Sequence, residues 1–381
     1  MNATNDIGYS IIQSSSQLAQ LVSQIENETA IGVDVEADSM YHFKEKVCLI
    51  QMATANINVV IDPLEIKDLS ALQPIFKRSD IQKIFHGADY DVRSLYRDFR
   101  IKINNLFDTE LASRFLGFPE TGLEAVLKKK FAVTLDKKFQ RKDWSRRPLP
   151  PEMIAYAAED ARYLLPLAQD LTTELKDRGR FSWVHEECEI LSKVRPHSNG
   201  TELLYVNFKG AGKLDPRSLA ILEALLQCRR EIARKKDRPL FRIIGSGPLL
   251  HLAETKPTNM KQLEKTRALS PKQIGMYGRL VLEAINNALI IPQNDLPVYP
   301  RSKAPRVPAA AAERVKSLRK WRDARAENLS MDPSLILTKS LISILAVQRP
   351  STLSELSRIK ELKKWQIREF GKEILNVLGQ R

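Results

Sequence analysis

The second half of the chain repeats itself, and the repeat dictates how the rest can be divided. Setting Leu225 against Leu318, a shift of 93 positions, aligns about 60 residues without a gap. Arg229 meets Arg322, Ala233 meets Ala326, Pro257 meets Pro350, Gln273-Ile274 meets Gln366-Ile367 and Gly278 meets Gly371. Both copies carry helical spacing and almost no strand signal, so two small helical domains are expected. The Pro-rich, basic stretch around "IPQNDLPVYPRSKAPRVPAAA" should join them. What precedes them must be a separate core, because 381 residues exceed one ordinary domain.

That first half reads as an α/β layer. "AIGVDVE", "KVCLIQMAT" and "INVVIDPL" are three consecutive strands rich in β-branched residues, and "IQKIFHG" is a fourth. "LSALQPIFKRS" and "ADYDVRSLYRDF" read as helices, with Val92, Leu95, Tyr96 and Phe99 on one face of the second. A long helix follows over "PEMIAYAAEDARYLLPLAQDLTTELKDRG", which Pro166 should kink or interrupt.

Charge separates the halves further. Residues 1–200 hold 26 Lys and Arg against 29 Asp and Glu, whereas residues 201–381 hold 34 against 17. The net charge of +14 therefore comes from the helical half, which suits it to neutralising phosphates and favours a nucleic acid over an acidic metabolite as partner. Cys48, Cys188 and Cys228 are widely spaced and form no C-x-x-C pair, so neither a zinc site nor a disulfide framework is suggested. With no secretory signal at the N-terminus and no long apolar run, a soluble cytoplasmic protein is expected.

The chemistry is carried by acids in odd places. In "IGVDVEADS" the carboxylates of Asp34, Glu36 and Asp38 alternate, so they share one strand face and repel each other. A solvated strand edge would explain them, and so would a bound cation. "FHGADYDVRSL" places Asp89 and Asp91 at the start of a helix, where an acid also serves as a cap. "YAAEDARYL" places Tyr156 and Asp160 four apart on one helix face.

Together, in this order, the three signals resemble the DEDD exonuclease superfamily in its tyrosine subclass. Over nearly the whole chain, "IDPL", "HGADYD", "FDTELASRFLG", "VTLDKKFQRKDWSRRPL" and "YAAEDARYLLPL" resemble the ribonuclease D family. "SLRKWRDARAENLSMDPSLIL" and "RPSTLSELSRI" resemble its HRDC domains. The resemblance implies a ribonuclease H-like α/β exonuclease domain, a mixed sheet with flanking helices, followed by two all-α HRDC domains. The corresponding bounds are 1–205, 211–292 and 310–381, with a linker over 293–309. It implies that Asp34, Glu36, Asp91 and Asp160 bind two divalent ions, Mg²⁺ or Mn²⁺, and that Tyr156 orients the attacking water. Asp38, Asp89 and Glu159 then have no place in the motif and read as solvated or supporting neighbours. His86 is a structural or substrate-contacting residue, since the histidine subclass has its His at the position of Ala155 here.

The implied activity is 3′→5′ exoribonuclease on structured RNA such as tRNA precursors, releasing 5′-monophosphates, in a monomer. A DNA exonuclease and a catalytically silent RNA-binding scaffold are the alternatives. Lys137, Lys138, Arg141, Lys142, Arg146 and Arg147 either hold phosphates at the site or form a solvated loop, and Trp144 reads as core. Ala37 departs from the bulky residue many relatives carry after the glutamate, a place that Tyr41, His42 or Phe43 would have to fill.

Overall fold

The computed structural model describes residues 8–196, 203–300 and 309–379. Its sheet has six strands: β1 (Ser10–Ile12), β2 (Ala30–Ala37), β3 (Val47–Ala53), β4 (Asn58–Ile61), β5 (Gln82–Phe85) and β6 (Leu106–Asp108). They lie in the order β1-β4-β3-β2-β5-β6. β2, β3 and β4 form an antiparallel meander, while β5 and β6 continue parallel to β2, and β1 adds parallel to β4. The sheet is therefore mixed. Four of these strands match the sequence reading. The two edge strands are only three residues each, too short to show a period of two.

The helices of this part are α1 (Ser15–Ile25), α2 (Gln73–Lys77), α3 (Asp89–Phe99), α4 (Thr109–Phe115), α5 (Leu123–Phe131), α6 (Pro151–Arg162), α7 (Leu164–Asp177) and α8 (Phe181–Leu191). The expected long helix is thus two. The break falls at Tyr163 because Pro166 has no N–H to give and its ring crowds the carbonyl four residues back, that of Arg162.

In β2, Ile31 and Val33 are fully buried on one face, which leaves Gly32, Asp34 and Glu36 on the other. Gly32 is where the α6–α7 break rests on the sheet. A Cβ there would lie 2.9 Å from the Ala161 carbonyl oxygen and 3.1 Å from the Leu164 Cβ. Only a glycine lets that junction come so close, and it carries Asp160 with it.

The helical repeat is visible element by element. The first copy has α9 (Pro216–Lys236), α10 (Leu240–Ile243), α11 (Ser246–Thr255), α12 (Met260–Thr266) and α13 (Pro271–Leu289). The second has α14 (Ala309–Leu329), α15 (Pro333–Ile336), α16 (Lys339–Gln348), α17 (Leu353–Ser357) and α18 (Lys364–Gly379). Each helix of the second copy begins 93 residues after its counterpart. The internal bonds repeat too. Arg229 donates to the Ile244 carbonyl at 3.2 Å and Arg322 to that of Leu337 at 3.1 Å, while Gln273 and Gln366 donate to Ile243 and Ile336 at 2.9 and 2.8 Å.

The chain packs as two compact units. One comprises residues 1–37, 47–196 and 305–381, and the other residues 38–46 and 197–304. In the first, the second helical domain shares a continuous core with the sheet domain. Trp183 stacks on Trp365 with ring centroids 5.0 Å apart, and Phe115 meets Trp365 edge-on at 5.5 Å. Glu186 accepts from the first backbone N–H groups of α18, those of Lys364 and Trp365, at 2.7 and 2.9 Å. Gly117 (φ 81°) sits so tightly against Ser330 that no side chain fits there. In the second unit the β2–β3 loop packs with the first helical domain, where Phe43 joins its core and Asp237 binds His42 at 2.6 Å.

No helix among the described residues is long and apolar enough to cross a membrane. Gly32→Val should destabilise the protein by about 1–3 kcal/mol in urea melts, because the branched side chain must displace the α6–α7 junction. An unchanged midpoint would show that the junction has room to spare.

Candidate active site

Three elements converge on one point. β2 supplies Asp34 and Glu36, and α6 supplies Tyr156 and Asp160 one turn apart. One carboxylate oxygen from each of Asp34, Glu36 and Asp160 lies within 4.8 Å of the other two. Asp91, in the first turn of α3, is outside this tight trio but is buried beside it. Its charge is one of those acting on Glu36, and that of Asp34 acts on Asp91. Tyr156 lines the same cavity, about 510 Å³ in volume, as do Leu123, Glu124, Lys137 and Gln140. A second cavity of about 580 Å³ shares Leu135, Asp136, Tyr156 and Asp160 with it.

The electrostatics are unfavourable without a cation. Burial, above all, raises Asp34 to about 6, and burial with the neighbouring Asp34 and Glu159 charges raises Asp160 to about 8. Glu36 and Asp91 are pushed well above the ordinary carboxylate range, first by burial and then by the surrounding acids. Among the described residues, no lysine or arginine pairs with any of the four. Next to Asp34 across the β2–β3 pair, the Gln51 amide is wholly buried and neither of its polar atoms has a protein partner. Crowded hard oxygen donors with an orphaned amide beside them fit a divalent cation and its water. Metal use by this site follows from the donors themselves.

The start of α3 and the Tyr156 ring are each held in place. Asp108 caps α4 and its carboxylate accepts from four backbone N–H groups: Gly87, Ala88 and Glu110 at 2.9 Å and Leu111 at 3.2 Å. It thereby fixes the β5–α3 turn, whose Gly87 has φ 77°, and with it the start of the helix that carries Asp91. Tyr156 is packed between Trp144, stacked at 6.1 Å, and Phe139, edge-on at 5.7 Å. Burial, followed by the surrounding carboxylate charges, pushes its hydroxyl far above the usual tyrosine range.

Of the neighbouring acids, read as solvated or supporting, Asp38 takes the supporting place and Asp89 and Glu159 the solvated one. Asp38 is fully buried rather than solvated. Its carboxylate accepts from the Lys46 N–H at 2.8 Å and so closes the β2–β3 loop. Asp89 and Glu159 pair with Arg93 at 2.7 Å and Arg162 at 3.1 Å on exposed helix faces. His86 Nδ1 donates to Thr109 Oγ1 at 2.9 Å, because that hydroxyl spends its own proton on the Phe85 carbonyl. The imidazole is held neutral by burial and lines the cavity.

Of the basic run, Arg147 is committed inward: it binds Asp62 through two bonds of 2.6 Å and the Cys48 carbonyl at 2.9 Å. Lys137 lines the cavity and pairs with Glu124. Arg146 is exposed and pairs with Asp143 at 3.3 Å. Trp144 is core, as expected. Tyr41, His42 and Phe43 are engaged within the second unit. Gln51 and Asp108 were missed from the sequence. A buried Gln in a strand and an Asp before a helix are each too common to stand out.

The raised carboxylates give a signed prediction. Their protonated forms are favoured by folding, so their contribution is fully present below the unfolded pKa near 4 and is lost as pH rises through the folded values. The chelated protein should therefore melt at a lower temperature at pH 8 than at pH 5. Mn²⁺ should restore the melting temperature more at pH 8. Gln51→Leu, which removes a buried unpaired amide, should raise the melting temperature of the chelated protein while weakening Mn²⁺ binding by calorimetry.

Comparison with known proteins agrees with this geometry. A family model for 3′-5′ exonuclease domains matches residues 9–176, and the HRDC domain model matches twice, over 218–285 and 311–378. Ribonuclease D of Acidiphilium cryptum is 29% identical over 375 residues, covering 97% of this chain and 93% of that protein. Protein RRP6-like 3 of Arabidopsis thaliana is 41% identical over 285 residues, which is 68% of this chain but 32% of that longer protein. The crystal structure of Escherichia coli RNase D superposes with a TM-score of 0.76 at 25% identity, over 97% of this chain and 98% of that one. The chain belongs to the ribonuclease D family, with a 3′-5′ exonuclease domain followed by two HRDC domains.

Proposed function

We propose that this 3′-5′ exoribonuclease trims the 3′ ends of structured RNAs, tRNA precursors among them, one nucleotide at a time, as a cytoplasmic monomer. The Escherichia coli relative is described as an exoribonuclease involved in structured RNA processing. The observation that carries the reading is the meeting of Asp34, Glu36 and Asp160 within 4.8 Å at a cavity shared with Tyr156. The catalytic residues in this reading are Asp34, Glu36, Asp91, Tyr156 and Asp160, within an exonuclease domain spanning 1–205. HRDC domains over 211–292 and 310–381, linked by 293–309, follow it. Part of that linker, residues 301–308, lies outside the described residues.

Hydrolysis of a phosphodiester needs a water deprotonated and aimed at phosphorus, and a leaving 3′-oxygen relieved of its developing charge. Asp34, Glu36, Asp91 and Asp160 would hold two divalent ions, Mg²⁺ or Mn²⁺, which supply water activation and charge neutralisation when bound. Asp34, Glu36 and Asp160 would together hold the ion beside the attacking water, and Asp91 would help hold the other. Tyr156 keeps its proton at neutral pH, since burial and the nearby acids oppose ionisation. It therefore acts as a hydrogen-bonding guide for the water rather than as its base. Its clamp of Trp144 and Phe139 fixes that guide.

The test is a time course on a 3′-tailed tRNA with Mg²⁺ or Mn²⁺. A ladder shortened from the 3′ end and released 5′-monophosphates are expected, both abolished by chelation and by Asp34→Asn. Tyr156→Phe should slow hydrolysis about a hundredfold, as loss of orientation does, while leaving Mn²⁺ affinity in place. Equal shortening of single-stranded DNA would instead assign the enzyme to DNA. Tight RNA binding with no cleavage would assign it as a scaffold.

A further inference from the structure

The second cavity takes no part in the chemistry described so far, yet at about 580 Å³ it is no smaller than the first, and the two adjoin. They meet between the Leu135–Asp136 stretch and the turn of α6 that carries Tyr156 and Asp160, since these four residues line both. Away from that meeting place the second cavity is bounded by Tyr9, just ahead of β1, by Asn58 of β4, and by Lys138 and Phe139.

Strand register puts Asn58 on the sheet face that bears Asp34. Asp34 pairs with Gln51 and Gln51 with Val60, and Asn58 lies two residues before Val60. Asn58 is only 6% exposed, and its Oδ1 has no hydrogen-bond partner among the described residues. A buried carbonyl left unpaired is costly unless something donates to it. Two of the acids around the cavity are already committed. Glu159 pairs with Arg162 at 3.1 Å, and Asp136 accepts from the Lys138 N–H at 2.8 Å. The Lys138 side chain is exposed, makes no ion pair among the described residues, and holds its ammonium 5.0 Å from the centre of the Phe139 ring.

We propose that this second cavity receives the nucleoside 5′-monophosphate released at each turnover, so that product and substrate occupy different cavities. An aromatic ring, an orphaned acceptor and an unpaired cation match the three parts of such a product. Its base lies against Phe139, an amino group of that base donates to Asn58 Oδ1, and Lys138 holds the phosphate. The inference rests on the exoribonuclease reading and deepens it by giving the product its own way out. After each cut the shortened 3′ end must enter the first cavity, and a mononucleotide that leaves past Tyr156 does not oppose the incoming strand.

The test uses the full chain and two probes: AMP, and purine riboside 5′-monophosphate, which is the same nucleotide without the amino group. With Mn²⁺ and a 3′-tailed RNA, AMP should lower kcat as well as raise KM, because it also binds enzyme already loaded with RNA. Asn58→Leu replaces the unpaired amide by an apolar group of similar size, so the fold should hold. It should weaken inhibition by AMP about tenfold and leave inhibition by the analogue unchanged. Lys138→Ala should weaken both about tenfold. Calorimetry in chelator should show Asp34→Asn binding AMP as the unaltered protein does, since Asp34 lines only the first cavity. Inhibition through KM alone would put AMP in the cavity of the RNA and overturn the proposal, as would equal loss of both nucleotides in Asn58→Leu. Absence of hydrolysis by the unaltered protein would overturn the exoribonuclease reading instead. AMP binding lost in Asn58→Leu and kept in Asp34→Asn would then still establish the second cavity as a mononucleotide site.

Discussion

The close approach of the α6–α7 junction to β2 is what the clustering of the acids depends on. Asp34 and Glu36 sit on a strand fixed on both sides by neighbouring strands, and Asp160 sits on a helix that could ride higher or lower over the sheet. Gly32 and the Pro166-enforced break together remove that freedom. The helix ends where its last residues meet a strand position with no side chain, and Asp160 is carried to the strand acids. Tyr156, one turn earlier, is set by Trp144 and Phe139 within a cluster that includes Cys48 and Leu49 of β3 and Val60 of β4. One helix thus presents two residues to the cavity through contacts with different strands.

The gathering of acids is costly to the fold. Like charges in a buried place raise one another's proton affinity, and the protein carries four of them in reach of each other. Such an arrangement is tolerated because the surrounding structure is over-determined. Asp108 ties the turn before α3 by two bonds and the start of α4 by two more, and the strand is central in the sheet. Strain at the site is carried by ordinary secondary structure elsewhere.

Much of this was legible in the sequence, for reasons that differ by element. The helical repeat was visible because a shared offset sums weak matches over many positions, and the helices do begin at that offset. The four central strands were visible from β-branched runs. The strand acids gained meaning only beside the Asp91 turn and the Tyr156–Asp160 pair, since a solvated strand edge explains alternation equally well. Asp38 alternates with them in sequence alone: a register shift follows Glu36, and its side chain turns into the loop. Arg147 looked like part of a phosphate-binding run because its partner, Asp62, is far away in sequence. The roles of Gln51 and Asp108 depend on cross-strand and cross-turn neighbours, which a one-dimensional pattern does not hold.

The fusion of the second HRDC domain with the sheet domain has a consequence for how the enzyme comes into being. Trp183, Phe115 and the carboxylates of Glu186 and Glu187 are covered by residues near the very end of the chain, Trp365 foremost. At typical elongation rates roughly ten to forty seconds separate the emergence of α8 from that of α18. During that interval a nascent chain already holds all four clustered acids while Trp183 and Phe115 lack the ring that packs on them. The acids and the core that braces them are thus completed at different times, and the seal on the sheet domain is laid down by a helix made long after it.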